Sequence, residues 1–430
     1  GGRPGQAGGG PPLPVSWTPD ELVAFVGRVL YEVVERGLTL DFAFQRVKRG
    51  WRRLDSFKVF YDVSFDAVRH YFFLRHLAER LFGSSGAKAV ARAWFIYRAD
   101  ALLYNKEMVS RYRKRLLRRA RASPEEALGS VEELRGVDPV SYLSVKYSYH
   151  PSIVGVLAAH MPLEEVERLL EAGNVTWVWL RINTFKADVD KALKLLEREA
   201  EVEPHPTVPF AVLLRSAKRP VQYLTAVREF VAVPQDLASM YAVLSLRPAP
   251  GDRIIDLAAA PGMKTSLIAQ LAEGRAKIVA VDVSAKRVLR MKRLLRLLGV
   301  GDLVEVVRAD SRGLRTAHFD KALLDAPCTS SGAFTKEPAT KVYPRLEEAP
   351  RYGALQRELL KNALTLASEV VYAVCSILPE EGEEVVASVG AKAERPHPDL
   401  APSYRGGVGG RTFPHIHRSE AFFISRVTPS

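Results

Sequence analysis

The chain reads as an α/β protein, with a doubly wound, Rossmann-like sheet over roughly its last two hundred residues, preceded by a small α/β unit and an all-α region. Three observations predict this. Strand-like and helix-like runs alternate from Ile254 to Val427, the pattern of a largely parallel sheet covered on both faces. Apolar residues recur at helical spacing from Thr18 to about Ala122. The 430 residues exceed one ordinary domain, and no apolar run approaches the length of a membrane span.

The first sixteen residues, rich in Gly and Pro, have no apolar core to bury and are expected to be a disordered tail; lacking an apolar stretch, they do not form a secretion signal. Residues 17–122 form the helical region, opening with the capping box Thr18-Pro-Asp-Glu21 ahead of Leu22, Phe25, Val26, Val29 and Val33. It ends in Arg111-Tyr-Arg-Lys-Arg-Leu-Leu-Arg-Arg-Ala-Arg121, seven basic residues in eleven with no acid among them to form i,i+4 pairs. With a net charge of +13, this run suits the phosphates of a nucleic acid better than a merely solvated face. Residues 123–230 hold a helical linker, starting at Ser123-Pro-Glu-Glu126, and a βαβ pattern: a strand over 176–182, a helix over 188–199, a strand over 208–214. After a helix from Asp236 come six strands, at 254–257, 278–281, 304–307, 321–324, 370–374 and 421–427. Helices at 264–272, 285–298, 354–367 and 380–388 connect them. Arginine is abundant while asparagine, glutamine, methionine and cysteine are scarce, a bias suited to a heat-adapted (thermophile) intracellular protein.

The candidate chemistry lies at strand ends. The first strand of the sheet turns through Ala258-Ala-Ala-Pro-Gly262, small residues that let a ligand approach the amides at the start of the next helix. The turn is neither Gly-x-x-x-x-Gly-Lys-Ser/Thr nor Gly-x-Gly-x-x-Gly, so a nucleoside triphosphate or a dinucleotide fits poorly. Asp282 ends the second strand at the distance of a ribose-binding carboxylate, and Asp310 follows the third. S-adenosylmethionine is one cofactor with adenosine and no pyrophosphate; a turn and two acids also occur in sheets that bind nothing. The chain's two cysteines, Cys328 and Cys375, both follow strands, where the ligand crevice of such sheets opens. A cysteine commonly packs as a small buried hydrophobe, but two thiols in equivalent positions flanked by Pro, Ser and Thr read as a reactive pair. Their separation of 47 positions is not a metal knuckle.

Asp256-Leu-Ala-Ala-Ala-Pro-Gly-Met-Lys-Thr265, Val281-Asp-Val-Ser-Ala-Lys-Arg287, Asp325-Ala-Pro-Cys-Thr-Ser-Ser-Gly332, Val374-Cys-Ser-Ile-Leu-Pro-Glu-Glu381 and Arg411-Thr-Phe-Pro-His-Ile-His417 resemble, in order, the motifs of the Nol/Nop/Sun RNA cytosine-C5 methyltransferases. Pro234-Gln-Asp-Leu-Ala-Ser239 and Leu180-Arg-Ile-Asn-Thr-Phe-Lys186 resemble that family's upstream signatures. The resemblance implies a class I methyltransferase domain at 231–430, an RRM-like unit within 123–230 and, from the Sun (Fmu) branch, a NusB-like RNA-binding domain at 17–122. S-adenosylmethionine would lie along Ala258, Ala259, Ala260, Pro261, Gly262, Met263 and Lys264, with Asp282 and Arg287 towards the ribose, Asp310 near the adenine and Asp325 near the methyl donor and target base. Cys375 would be the nucleophile, Cys328 would assist release, and Asp325 with Lys264 would act on the base. Ala258, Met263 and Val374 stand where the family usually has Cys, Gly and Thr.

The implied partner is RNA, rRNA ahead of tRNA, for a cytoplasmic monomer with no metal and no membrane. A non-catalytic RNA-binding assembly factor is the rival from another class, which the basic helices alone would permit. A DNA cytosine methyltransferase is a second rival, in which the Pro-Cys thiol of Cys328 would attack and Cys375 would be spare.

Overall fold

The computed structural model describes residues 17–51 and 57–429, and the tail expected over 1–16 lies outside them. The chain divides into two compact units between His150 and Pro151. Among the described residues, no helix is long and apolar enough to cross a membrane.

The first unit is helical. Thr18 caps the Pro19–Val34 helix reciprocally, its hydroxyl accepting from Glu21 N at 3.2 Å while its own N–H donates to the Glu21 carboxylate at 2.7 Å. That helix buries Leu22, Phe25, Val26, Val29 and Val33, with Phe25 set edge-on to Phe44 and Phe60 at 5.3 and 5.0 Å. Truncating the fully buried Phe25 to Ala would cost about 3–5 kcal/mol. Helices Leu40–Arg49, Phe57–Arg69 and Ala87–Tyr97 pack round it, and Tyr71–Phe82 packs on Ala87–Tyr97. The helices Pro124–Glu133 and Pro139–Tyr147, assigned from sequence to a linker, pack instead on Tyr71–Phe82. His76 reaches Ser130 at 2.8 Å and Ser148 accepts from Phe72 N at 2.8 Å, so the division falls at 150 rather than 122.

The second unit contains two sheets. Strands β1 (Val178–Ile182), β2 (Ala200–Pro204), β3 (Ala211–Ala217) and β4 (Ala232–Pro234) form a small sheet ordered β2-β3-β1-β4. It is antiparallel throughout, not the βαβ unit expected. The strand Ala200-Glu-Val-Glu-Pro204 lies at its edge and only Val202 of it packs against the core, so it lacks an apolar run to betray it.

The main sheet comprises β5 (Arg253–Asp256), β6 (Lys277–Asp282), β7 (Val304–Arg308), β8 (Phe319–Asp325), β9 (Ala367–Val374), three short strands β10 (Lys392–Glu394), β11 (Ala401–Pro402) and β12 (Gly410–Thr412), and β13 (Phe422–Thr428). Its order is β11-β12-β13-β9-β8-β5-β6-β7, with β10 on β13. Strands β5 to β9 pair in parallel and β13 antiparallel to β9. Ile254, Leu323 and Ala373 point into one core, and Ile255, Leu324 and Tyr372 into the other, so both faces are covered. Strand order reverses between β5 and β8, and a ligand crevice opens at such a reversal, outside the carboxyl ends of the strands.

Candidate active site

At that reversal the chain leaves β5 through Leu257 to Pro261 and enters the Met263–Leu271 helix. Gly262 makes the turn at φ 103°, where a Cβ would meet Met291 at 3.0 Å and Leu295 at 3.3 Å, so glycine is required twice over. The turn borders a cavity of about 540 Å³ lined by Ala258, Ala260, Asp282, Arg287, Asp310, Asp325, Cys328 and Cys375. Eight residues chosen from sequence thus converge on one space. Ala259 is buried in the core, Met263 packs against that core, and neither they, Pro261 nor Gly262 line the cavity. The other wall residues, among them Leu257, Val283, Arg312, Ser330, Leu355 and Leu359, were given no role from the sequence.

Asp282, 3% exposed, closes β6; one carboxylate oxygen accepts from Ser284 N at 3.0 Å and the other lies 3.3 Å from Arg287, which also donates to the Ala260 carbonyl at 2.8 Å. Asp310 is gripped by Arg312 at 2.6 to 3.1 Å, hydrogen bonds that hold its carboxyl below the usual range. Lys264 does not line the cavity but reaches it through Asp325, with Nζ 2.6 Å from the carboxylate. Burial opposes the Lys264 charge, yet the facing Asp325 carboxylate raises its pKa. Behind this pair lies Asp256, 1% exposed, whose carboxyl burial pushes up to about 6 although Thr265 donates to it at 2.7 Å.

The thiols of Cys328 and Cys375 stand 3.3 Å apart, beyond the ends of the neighbouring strands β8 and β9. The hydrogen bond with the Cys328 thiol lowers the Cys375 pKa, helped by the Ser330 hydroxyl at 3.5 Å and the Lys264 charge. The Cys328 pKa is raised well above a free thiol's by that same bond, by burial and by the nearby Glu381. The two thiols therefore differ in proton affinity, Cys375 being the more acidic.

Both cysteine loops hang on Glu381, a fully buried carboxylate. It accepts from Thr329 N at 2.9 Å, Thr329 Oγ1 at 2.6 Å and Ser376 Oγ at 2.5 Å, the residues next to the two cysteines. Arg411 and Glu383, both fully buried, pair bidentately at 2.9 and 2.6 Å, and Arg411 donates to the Ser376 carbonyl at 2.8 Å. Thr329, Ser376, Glu381 and Arg411 lie within the motifs given above and Glu383 outside them, none with an expected role; acids in an otherwise apolar, turn-bounded stretch were the available signal. Among the described residues no group of three His, Cys, Asp or Glu side chains is placed to hold a metal.

Residues 243–428 match the family described as 16S rRNA methyltransferase RsmB/F, and residues 151–222 match the ferredoxin-like domain of Methyltr_RsmF/B-like proteins. Residues 243–428 are thus an RsmB/F-type methyltransferase domain, and residues 151–222 the ferredoxin-like domain found beside it. Ribosomal RNA small subunit methyltransferase B of Klebsiella pneumoniae is 34% identical over 275 residues, 61% of this chain and 62% of that protein. The human 28S rRNA (cytosine(4447)-C(5))-methyltransferase is 31% identical over 320 residues, 66% of this chain and 38% of that one. The chain therefore spans about 62% of the length of the bacterial relative. The solved structure of PH0851 shares the fold, with TM-score 0.74 at 23% identity over 96% of this chain and 99% of that one.

The cavity and both cysteines lie inside the RsmB/F match, and the small antiparallel sheet lies largely inside the ferredoxin-like match. The Arg111–Arg121 run lies outside both, in the helical unit. Its charges are less free than the sequence implied: Arg111 pairs with Glu107 four residues earlier, Arg113 with Asp100, and Arg115 with Asp20 at 2.5 Å.

Proposed function

We propose that the chain is an S-adenosylmethionine-dependent RNA (cytosine-C5)-methyltransferase of the cytoplasm, acting as a monomer on rRNA ahead of tRNA. The observation that carries this reading is the pair of thiols, 3.3 Å apart, on the wall of a cavity that also presents a buried carboxylate, Asp282. A cytosine carbon 5 becomes nucleophilic only after carbon 6 has been attacked, and a second base must then strip the carbon 5 proton; two adjacent thiols of unlike proton affinity meet both needs. The rRNA methyltransferase names of both relatives favour rRNA over tRNA. A non-catalytic assembly factor would leave the thiol pair and its Glu381 support without a task.

The cavity fits the cofactor. Ala258 and Ala260 carry no bulk beyond a methyl group, and the Asp282 carboxylate faces the space as an acceptor for a ribose diol. These residues with Arg287, and Asp310 at the rim, would hold S-adenosylmethionine, which when bound supplies an electrophilic methyl group on a sulfonium. Cys375 thiolate adds to carbon 6 of the target base, and the proton shared by Lys264 and Asp325 moves towards ring nitrogen 3 to receive the displaced electron pair. Once carbon 5 carries the methyl group, Cys328, its own proton released to solvent, or a water that it orients takes the carbon 5 proton; the double bond re-forms, the bond to Cys375 breaks, the sulfur leaves as thiolate, and the proton on ring nitrogen 3 returns to the Asp325–Lys264 pair. The target base must be unpaired or flipped to reach the cavity. In the helical unit, proposed as NusB-like, Lys114, Arg118 and Arg119 would add phosphate contacts.

The test is to map 5-methylcytidine in RNA from cells with and without the gene, then to assay that RNA with the purified chain and its Cys375→Ala variant. Wild-type methylation that the variant lacks is expected, and a variant that still turns over overturns the assignment of the nucleophile.

A further inference from the structure

The Ala285–Leu297 helix sorts its residues sharply by face. Val288, Met291 and Leu295 are buried, and the Gly262 turn packs onto the last two. On the opposite side Lys286, Arg290, Arg293 and Leu297 follow one another at intervals of four, three and four, with Arg296 beside them and Leu289 70% exposed. No acid occurs between Asp282 and Asp302 in the sequence. Among the described residues, Arg287 alone of this helix's six cations has a carboxylate partner, Asp282; Lys286, Arg290, Lys292, Arg293 and Arg296 have none. The Arg111–Arg121 run differs, since three of its cations are neutralised within the chain.

Like charges at i,i+3 and i,i+4 destabilise a helix, so Lys286, Arg290 and Arg293 hold a conformation that their mutual repulsion opposes. A solvated face mixes acids with bases; this one has only bases. Its position adds a second observation. At its N-terminal end Arg287 lines the cavity, and at its C-terminal end the Leu298 carbonyl accepts from the Asn183 side chain, at the end of β1 of the small sheet, at 3.0 Å. The basic stripe therefore runs from the rim of the candidate active site to the ferredoxin-like sheet, about 15 Å at 1.5 Å per residue.

We propose that the outer face of the Ala285–Leu297 helix is a docking surface for the phosphate backbone of the RNA whose base enters the cavity. This rests on the RNA methyltransferase reading and adds where that RNA is held. Phosphates replace the missing acids, and the exposed Leu289 and Leu297 pack against sugar or base edges. Contacts of this kind position the strand without reading its sequence.

The test measures binding of the full chain to a labelled small-subunit rRNA transcript across salt concentrations, for wild type, for Arg290→Ala/Arg293→Ala/Arg296→Ala, and for the same three positions changed to Lys. Losing three phosphate contacts should raise Kd by roughly 10- to 100-fold near 0.15 M salt and flatten the log–log salt slope by about two to three. The Lys set should stay within about fivefold of wild type, and S-adenosylhomocysteine affinity should be unchanged in all three, which shows that the cavity is intact. Wild-type Kd and slope in the Ala set, leaving an acidic protein as the occupant, overturn the proposal. So does a Lys set as weak as the Ala set. If wild type itself has no affinity for RNA, the RNA methyltransferase reading fails first, a result distinct from either.

Discussion

Asp282→Ala probes the cofactor reading most directly. The carboxylate is 3% exposed, and its hydrogen bonds from Ser284 N and Arg287 leave lone pairs on both oxygens towards the cavity. A ribose diol would donate to these in two charge-assisted bonds, each contributing about 1.5–3 kcal/mol. Water entering the space left by the side chain recovers part of this, so the expected loss is that of roughly one bond, or about ten- to a hundredfold in Kd. Calorimetric titration of S-adenosylhomocysteine into the full chain measures it, while RNA affinity measured alongside should not move. Asp282→Asn keeps an acceptor for Ser284 N but no charge, and should fall between wild type and Ala. An Ala variant within threefold of wild type would refute the ribose role, because a carboxylate so buried and so placed cannot be lost from a diol contact without cost.

Cys375→Ala should abolish methylation and leave S-adenosylhomocysteine binding at its wild-type value, and turnover above background sinks it. Cys328→Ala should accumulate a denaturation-resistant protein–RNA adduct, seen as a shifted gel band, since addition proceeds while proton removal stalls; no band under any condition counts against that role. Glu381→Gln sets a donor against the hydroxyls of Thr329 and Ser376. It should lower kcat and change the pH at which Cys375 is alkylated, and an unchanged alkylation profile would make Glu381 merely structural. Asp256 is raised in the fold to about 6, above the ordinary 3.8, so its contribution to stability is full below about pH 4 and is lost as pH rises through 6. That loss amounts to about 3 kcal/mol. Asp256→Asn should therefore unfold at higher denaturant than wild type at pH 7 and at the same concentration at pH 4, and equal midpoints at both would show that the burial cost is relieved elsewhere.

The main sheet was legible because its strands are short apolar runs bounded by turns, and all six expected strands appear within a few residues of their expected limits. Strand β2 escaped because the edge segment Ala200-Glu-Val-Glu-Pro204 turns only one residue inward, and β10, β11 and β12 because two or three residues are too few for a periodicity. The connecting helix at Ala349–Leu366 begins five residues earlier than expected, with Pro350 in its first turn, where its missing N–H and fixed φ are tolerated. The cavity-lining residues were legible as strand-end polar groups. Most partners remote in sequence were not: Arg115 with Asp20 and Arg411 with Glu383 are set by the fold, and a buried acid such as Glu381 looks in a sequence like any solvated one.

The spacing of the two sulfurs bears on the order of events. Two thiolates 3.3 Å apart would repel by about 5 kcal/mol even at an effective dielectric constant of 20, so the pair does not shed both protons together. Ser330 and Lys264 favour charge on Cys375, while Glu381 disfavours it on Cys328, so in the proposed mechanism the β9-side thiol is the one poised to attack before any substrate arrives. When Cys375 bonds to carbon 6 its negative charge is gone. The Cys328 proton then loses its acceptor and its thiol loses the charge that held its pKa high, so Cys328 gains the capacity to act as a base only after addition has occurred. The roles follow one another because each changes the electrostatics of the next. That sequence needs the pair in a rigid frame, which gives Glu381, buried and bonded to both loops, and Arg411, buried and bonded to the Cys375 loop, their place in the design.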